Sequence, residues 1–369
     1  LHLPRDGVRE FMVPMTALTS REEFRKHVSS HGVTSMGDEL GTLGTYMITW
    51  VNELQEKEAA LNARRQFGWI GPDHWRSFVL GNREFLPDGG VIHNPPSTPT
   101  ARHMDAFEPR GTLDDWKGVA SFFGKEGLEL YQFMICAALG APLMDLTGWQ
   151  GLSINLLGKT GLGKTTIASV GLSVWGRPDE LRMGSKDTIN STMNRLEVFK
   201  NLPMLIDEVT NHDARTLSDL VYAVTEGKQK NRMTGNKDNT ERFRGKPWAL
   251  LAFMTSNASI LDRISASKAE WEAEAQRLLE FPVERFKFDK EVTDHLTNNL
   301  NNVGATAGPV FIKYVVQNRQ SVVDLLRKVQ SKIDKAAGLA PKNRYWSAAA
   351  ACTMTALLLA KQMEIVDYD

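Results

Sequence analysis

The stretch Gly158-Lys-Thr-Gly-Leu-Gly-Lys-Thr-Thr166 constrains this chain more than any other. An apolar run at 152–157 precedes it and a helical pattern at 165–175 follows. The order is therefore buried strand, glycine-rich loop, helix. Gly158, Gly163, Lys164 and Thr165 satisfy the G-x-x-x-x-G-K-[ST] spacing without a mismatch. Glycines let backbone N–H groups turn inward around phosphate oxygens, and the helix N-terminus adds its positive dipole. The pattern assigns Gly158, Lys159, Thr160, Gly161, Gly163, Lys164, Thr165 and Thr166 to ATP. Lys164 reaches the β- and γ-phosphates, and the Thr165 hydroxyl holds Mg²⁺.

Two more apolar strands end in polar residues. The run 202–206 leads into Asp207-Glu208, a Walker B pattern at ordinary spacing from the loop. It delivers Asp207 to Mg²⁺ through water and Glu208 to the attacking water. The run 248–255 leads into Ser256-Asn257, where a polar tip is placed to orient that water. Between them lies the most basic segment, 228–246, with seven Lys or Arg against Asp238 and Glu241. Gly235-Asn236 marks a hairpin tip, and alternation puts Arg242 and Arg244 on one face. The chain as a whole is balanced, 44 basic against 44 acidic residues, so this local excess points to phosphate contacts rather than a plain solvated loop.

A chain of 369 residues buries a sizeable core and suggests several domains. Cys136 and Cys352 lie in apolar runs and read as core residues in a reducing compartment. The apolar runs 133–146 and 346–360 fall short of a membrane span, and no signal-peptide pattern is present. No membrane partner and a cytoplasmic location are therefore expected. Opening on Leu1 fits a piece cut from a longer chain.

Four segments are expected. Residues 1–110 form an α+β accessory domain, with an extended stretch at 8–13 and helices at 20–31 and 41–61. Ser20 caps the first of these helices with Glu23 closing the box. The second turns Tyr46, Ile48, Val51 and Leu54 inward. Strands at 67–70 and 77–80 and a linker at 93–109 complete it. Residues 111–150 form a helical collar, helices 113–123 and 126–141, with Thr112 and Asp115 as a capping box. Residues 151–290 are the ATPase core, with helices at 191–199, 214–227 and 267–279 and a strand at 278–283. Residues 291–369 are helical at 307–337 and 345–365. Their core faces carry Val310, Tyr314, Val322, Leu325, Leu326 and Val329, then Ala349, Met354, Leu357 and Leu358.

Arg64-Arg-Gln-Phe-Gly-Trp69, Phe78-Val-Leu-Gly81, Gly111-Thr-Leu-Asp-Asp-Trp116, Ala137-Ala-Leu-Gly-Ala-Pro-Leu143, Ser173-Val-Trp-Gly176 and Thr192-Met-Asn-Arg-Leu-Glu197 together resemble one helicase-like family of phages and mobile elements. That family is catalogued as a domain of unknown function and is often found behind a primase module. Its ATPase core is similar to AAA+ proteins and superfamily III helicases. The resemblance implies an α/β fold with an AAA+ P-loop core (a parallel sheet flanked by helices), an N-terminal accessory domain and a helical C-terminal region. It implies a homo-hexameric ring with ATP at each subunit interface. Asn257 would be sensor 1 and Arg277 the arginine finger, with Arg263 the alternative. Arg344 is a weaker sensor 2 candidate, better read as a structural salt bridge. Lys228, Lys230, Arg232, Lys237, Arg242 and Arg244 would line a channel for single-stranded DNA.

The expected activity is an ATP-dependent hexameric helicase moving on single-stranded DNA during phage or mobile-element replication in a bacterial cytoplasm. A primase or polymerase module is a partner this reading allows. The alternatives are a helicase loader or remodelling ATPase acting on a protein, and a nucleotide-switched scaffold, against which Glu208 argues. A packaging motor would need a nuclease-like carboxylate cluster that the sequence lacks.

Overall fold

The computed structural model describes residues 2, 3, 7, 8, 11–34, 37–57, 62–184, 186–229, 247–284, 299, 300 and 302–368. By compactness the chain forms two units, Leu1–Arg65 with Asn94–Arg102, and Gln66–His93 with His103–Asp369. These divisions fall at other places than the four expected segments.

In the smaller unit, β1 (His2–Leu3) pairs antiparallel with β2 (Gly7–Val8), and α1 (Met15–Leu18), α2 (Arg21–Ser30) and α3 (Asp38–Glu56) follow. Of the extended stretch expected at 8–13, Val8 ends β2 and residues 11–13 belong to no strand. Ser20 caps α2 by accepting from the Glu23 N–H at 3.4 Å. Leu18, Phe24, Val28 and Leu40 form its core. Helix α3 turns Val51 and Leu54 half inward, in register with Leu40 and Gly44, and the other two expected positions outward. Leu40 and Gly44 are buried, whereas Tyr46 is 65% and Ile48 36% exposed. Gly44 faces Phe24, whose ring lies at ordinary contact distance, 3.7 Å, from where a Cβ would stand.

The larger unit is built on two sheets. The first is antiparallel, in the order β3 (Gly68–Ile70), β4 (Ser77–Leu80), β5 (Arg83–Phe85), β6 (Val91–His93). Its apolar residues Phe67, Trp69, Phe78, Leu80 and Phe85 belong to the main core. Asn201, wholly buried, accepts from the Trp69 N–H at 2.9 Å and donates to the Ala249 carbonyl at 2.9 Å, tying this sheet to the second.

Next come α4 (Leu113–Phe122), α5 (Glu129–Gly140) and α6 (Met144–Thr147). The Thr112–Asp115 capping box forms at both ends, 3.1 Å and 2.8 Å. By length and composition Glu129–Thr147 is apolar enough to cross a membrane, yet 67% of that window is buried in the protein. It is a core segment.

The chain then winds through β7 (Gly151–Leu157), α7 (Lys164–Leu172), α8 (Pro178–Leu181), β8 (Arg182–Met183), α9 (Ile189–Phe199), β9 (Met204–Ile206), α10 (Ala214–Glu226), β10 (Leu250–Ser256), α11 (Ile260–Ser265), α12 (Glu272–Ala275) and β11 (Leu278–Pro282). The five strands form one parallel sheet in the order β11-β7-β10-β9-β8. Strand β10 lies between the phosphate-loop strand and the Walker B strand. All three strand ends therefore open at the same edge, where open α/β sheets place ligands. Sheet and flanking helices make the α/β P-loop core of AAA+ type.

The helix expected over 267–279 is reduced to the single turn α12, with non-helical backbone at 267–271 before it and β11 already begun at Leu278. The helix expected over 307–337 is two, α13 (Ala307–Gln317) and α14 (Arg319–Ala337), interrupted at Asn318. The last helix is α15 (Arg344–Gln362). Val310, Met354 and Leu358 are exposed, not core. In α15 the small residues Ala348, Ala351, Cys352 and Thr355 face inward instead. The backbones of α5 and α15 approach so closely that a Cβ at Gly140 would lie 2.7 Å from the Cys352 carbonyl oxygen, leaving no room for a leucine.

Candidate nucleotide site

Each residue at the sheet edge is placed by its strand or by the turn that follows. The loop 158–163 leaves β7, with Gly161 and Gly163 at φ of +84° and +85°, a left-handed conformation that glycine adopts without strain. Helix α7 then begins at Lys164. The Lys164 Nζ donates to the Gly158 carbonyl at 2.5 Å, the Lys159 carbonyl at 3.0 Å and the Asn257 Oδ1 at 3.0 Å. The ammonium thus lies inside its own loop, held by acceptors. Burial pushes its pKa below the ordinary lysine value, and the Asp207 and Glu208 carboxylates offset part of that shift.

Asp207 emerges from β9 directly opposite. Its Oδ1 accepts from the Thr165 hydroxyl at 3.0 Å and from the Thr255 hydroxyl at 2.5 Å, and the Arg182 guanidinium lies 3.7 Å from its Oδ2. The Thr165–Asp207 pair is the donor set that Mg²⁺ takes alongside substrate phosphates, an alcohol and a carboxylate with water in between. Among the described residues no cluster of three His, Cys, Asp or Glu could hold a metal by itself.

Glu208 is exposed and has φ of +54°, a left-handed conformation rare for a residue with a side chain. Its N–H donates to the Thr255 Oγ1 at 2.9 Å, which fixes the turn. Asn257 follows β10, exposed, with its Oδ1 within 3.5 Å of the Thr160 hydroxyl as well as bonded to Lys164. Residues from three strands, distant in sequence, thus meet around one loop. The other side chains of the motif lie at its rim. Lys159 and Thr160 are exposed, and Thr166 sits half-buried in the first turn of α7.

Sequence reasoning missed Thr255 and Arg182. The signal for Thr255 was a hydroxyl two residues before Asn257 on a strand neighbouring Walker B. Arg182 carried no signal, because only the parallel pairing of β8 with β9 brings it to Asp207.

The expected arginines lie elsewhere. Arg277, just before β11, stacks between two rings, 4.4 Å from the Tyr222 centroid and 5.4 Å from that of Tyr345, and donates to the Ala273 carbonyl at 2.6 Å. Arg263, on α11, donates to the Thr210 carbonyl in the turn after Glu208. Arg344 is exposed and lies 5.0 Å from both the Trp149 and Tyr345 rings, so its contacts are aromatic rather than a salt bridge. Of the basic segment, Lys228 is exposed beyond the end of α10. Lys230, Arg232, Lys237, Arg242 and Arg244 fall outside the described residues.

The sequence matches the model of the family described as Domain of unknown function (DUF927) over residues 5–245. The chain belongs to that family. No curated protein matches the sequence. Among solved structures, the fold is similar to one described as "SCCmec type IV Cch - active helicase", with a TM-score of 0.71 and 16% identity. The match covers 96% of this chain and 65% of that one, so this DUF927 chain spans less than two thirds of that protein. At such identity the likeness establishes the fold alone. A second, described as the apo A form of the NrS-1 C-terminal region, has 11% identity over 76% of this chain and 73% of that one. Its TM-score of 0.30 supports no conclusion.

Proposed function

We propose that this protein is an ATP-driven DNA helicase that works as a homo-hexameric ring on single-stranded DNA, in the replication of a phage or mobile element inside a bacterial cell. The observation that carries the reading is the meeting of Lys164, Thr165, Asp207 and Asn257 at one sheet edge. A loop that binds phosphate by chance has no need of a carboxylate and a polar strand tip converging on it.

In this reading Lys164 leaves its carbonyl partners for the β- and γ-phosphates, and the loop N–H groups hold the remaining oxygens. Thr165 and Asp207 would hold Mg²⁺, and the bound ion would neutralise charge developing on the phosphates. Glu208 accepts the proton of the attacking water, and Asn257 orients that water. Arg277 leaves its aromatic cradle to reach the site of a neighbouring subunit, with Arg263 as the alternative. Lys228, Lys230, Arg232, Lys237, Arg242 and Arg244 grip the DNA backbone, and a primase or polymerase module joins the ring as partner. The fold shared with a protein described as an active helicase supports this reading.

The test is ATP hydrolysis with and without single-stranded DNA at fixed salt, on the wild type and on a Lys230/Arg232/Arg242/Arg244 alanine variant, since phosphate contacts weaken steeply with ionic strength. DNA should stimulate the wild type, and the variant should lose that response while keeping basal turnover. If DNA changes neither protein, a loader or remodelling ATPase acting on a protein partner takes its place.

A further inference from the structure

Beneath the nucleotide site lies a polar network that none of the roles above uses. Asn155, in the middle of β7, is wholly buried. Its Nδ2 donates to the Ser256 Oγ at 2.7 Å and to the Glu280 Oε1 at 2.7 Å. The same Oε1 of Glu280, on β11, accepts from the Ile260 N–H at 2.8 Å, and Oε2 accepts from the Ser259 hydroxyl at 2.6 Å. One carboxylate therefore gathers β7, β10, β11 and the start of α11.

The positions it gathers matter. Ser256 stands immediately before Asn257, and Ser259 and Ile260 stand just after Ala258. Both flanks of the Asn257-Ala258 bridge are tied to Glu280, one through Asn155 and one directly. The six-residue helix α11 that follows is too short to hold itself in place, and it carries Arg263 to the Thr210 carbonyl beyond Glu208. Placing a carboxylate between strands costs free energy unless its oxygens are bonded, and here both are. Packing the same strands would need only an apolar residue.

We infer that Glu280 is a positioning residue for ATP hydrolysis: it sets Asn257 and, through α11, Arg263 against the Walker carboxylates. This rests on the ATPase reading and deepens it, because it says how the lytic-water side of the site is held. Glu280 touches no substrate. Its effect should fall on turnover rather than on nucleotide affinity.

The experiment compares Glu280→Leu, Glu280→Gln and Ser259→Ala with wild type, measuring kcat, the Kd for Mg·ADP and the melting temperature. Because misplacing a catalytic group by about 1 Å can cost up to about a hundredfold, Glu280→Leu should lower kcat at least about tenfold with Kd within about twofold. Glu280→Gln should recover most of the loss, since its amide oxygen can take the Oε1 bonds while its NH₂ donates to Ser259. In an Asn257→Ala background, Glu280→Leu should cost less than in the wild type, because the part of its effect that runs through Asn257 is already lost and only the part through α11 remains. Ser259→Ala, which removes a single hydroxyl, should lower kcat about threefold and answers the question if Glu280→Leu does not fold. Unchanged kcat in a folded Glu280→Leu or in Ser259→Ala overturns the inference and leaves the ATPase reading standing. So does a parallel loss of kcat and affinity, or full additivity with Asn257→Ala. A wild type that neither binds nor hydrolyses ATP overturns both.

Discussion

The sheet edge around Lys164 and the cradle around Arg277 hold cations in opposite ways. Lys164 is ringed by oxygen acceptors, two backbone carbonyls and the Asn257 side chain, all within 3.0 Å. Arg277 is instead flanked by the faces of Tyr222 and Tyr345 and spends one guanidinium bond on its own helix turn. Oxygen acceptors can be exchanged for phosphate oxygens at little cost, so the lysine is stationed where it works. Ring faces hold an arginine by about 0.5–2 kcal/mol each, weakly enough that a phosphate from another subunit can draw it out. In the proposed ring the lysine would need only its own chain, whereas the arginine would need a second copy.

The sharpest break of that contrast is Lys164→Ala, which should lower ATP turnover by at least about a hundredfold and weaken nucleotide binding with it, measured by phosphate release and ADP titration. Arg277→Ala should lower turnover by about a hundredfold with ADP affinity unchanged, since a finger acts in trans on the transition state. If it hydrolyses ATP at the normal rate, the cradle is structural and Arg263 is the residue to replace next. Thr255→Val comes third. It strips one partner from Asp207 and one from the Glu208 N–H, and about a tenfold loss of kcat at unchanged melting temperature is expected.

Tyr222→Leu sharpens the comparison from the other side. It removes one face of the cradle and should lower stability by about 1 kcal/mol in urea unfolding, without touching ADP affinity. The smallest effect is on thiol chemistry. Burial pushes the Cys136 thiol up to about 12 and the wholly buried Cys352 thiol higher still. The reactive thiolate is therefore scarce near neutral pH, and a maleimide should label neither cysteine until the protein unfolds.

Much of the site was legible because its residues sit at strand ends. An apolar run followed by Asp207-Glu208 or Ser256-Asn257 tells both where the strand stops and what it delivers. The four-stranded antiparallel sheet was half legible. Strands near β3 and β4 could be read, but one of its ties to the parallel sheet is the buried Asn201, which follows Lys200 and belongs to no motif in the sequence. The helical faces were the least legible. Val310, Met354 and Leu358 look like core residues by period, yet Phe311, Ile312 and Val315 take the inward face of α13, and mostly small residues take that of α15, which packs closely on α5. Hydrophobicity alone cannot rank a leucine against an alanine when the partner's distance is unknown.

The sequence by itself determined the phosphate loop, the Walker carboxylates, the three buried strands that carry them and the α/β class. These follow from local rules: a glycine-rich turn, a run of apolar residues, a helix start. Only the tertiary structure decided that β10 lies between β7 and β9, that Thr255 and Arg182 share Asp207, that Arg277 rests between two tyrosines and that Glu280 ties both flanks of Asn257. The arginine cradle depends on how α10 and α15 pack beside the start of β11, and the others depend on which strands are neighbours. Strand order is fixed by how the whole core packs, and no short stretch of residues carries it.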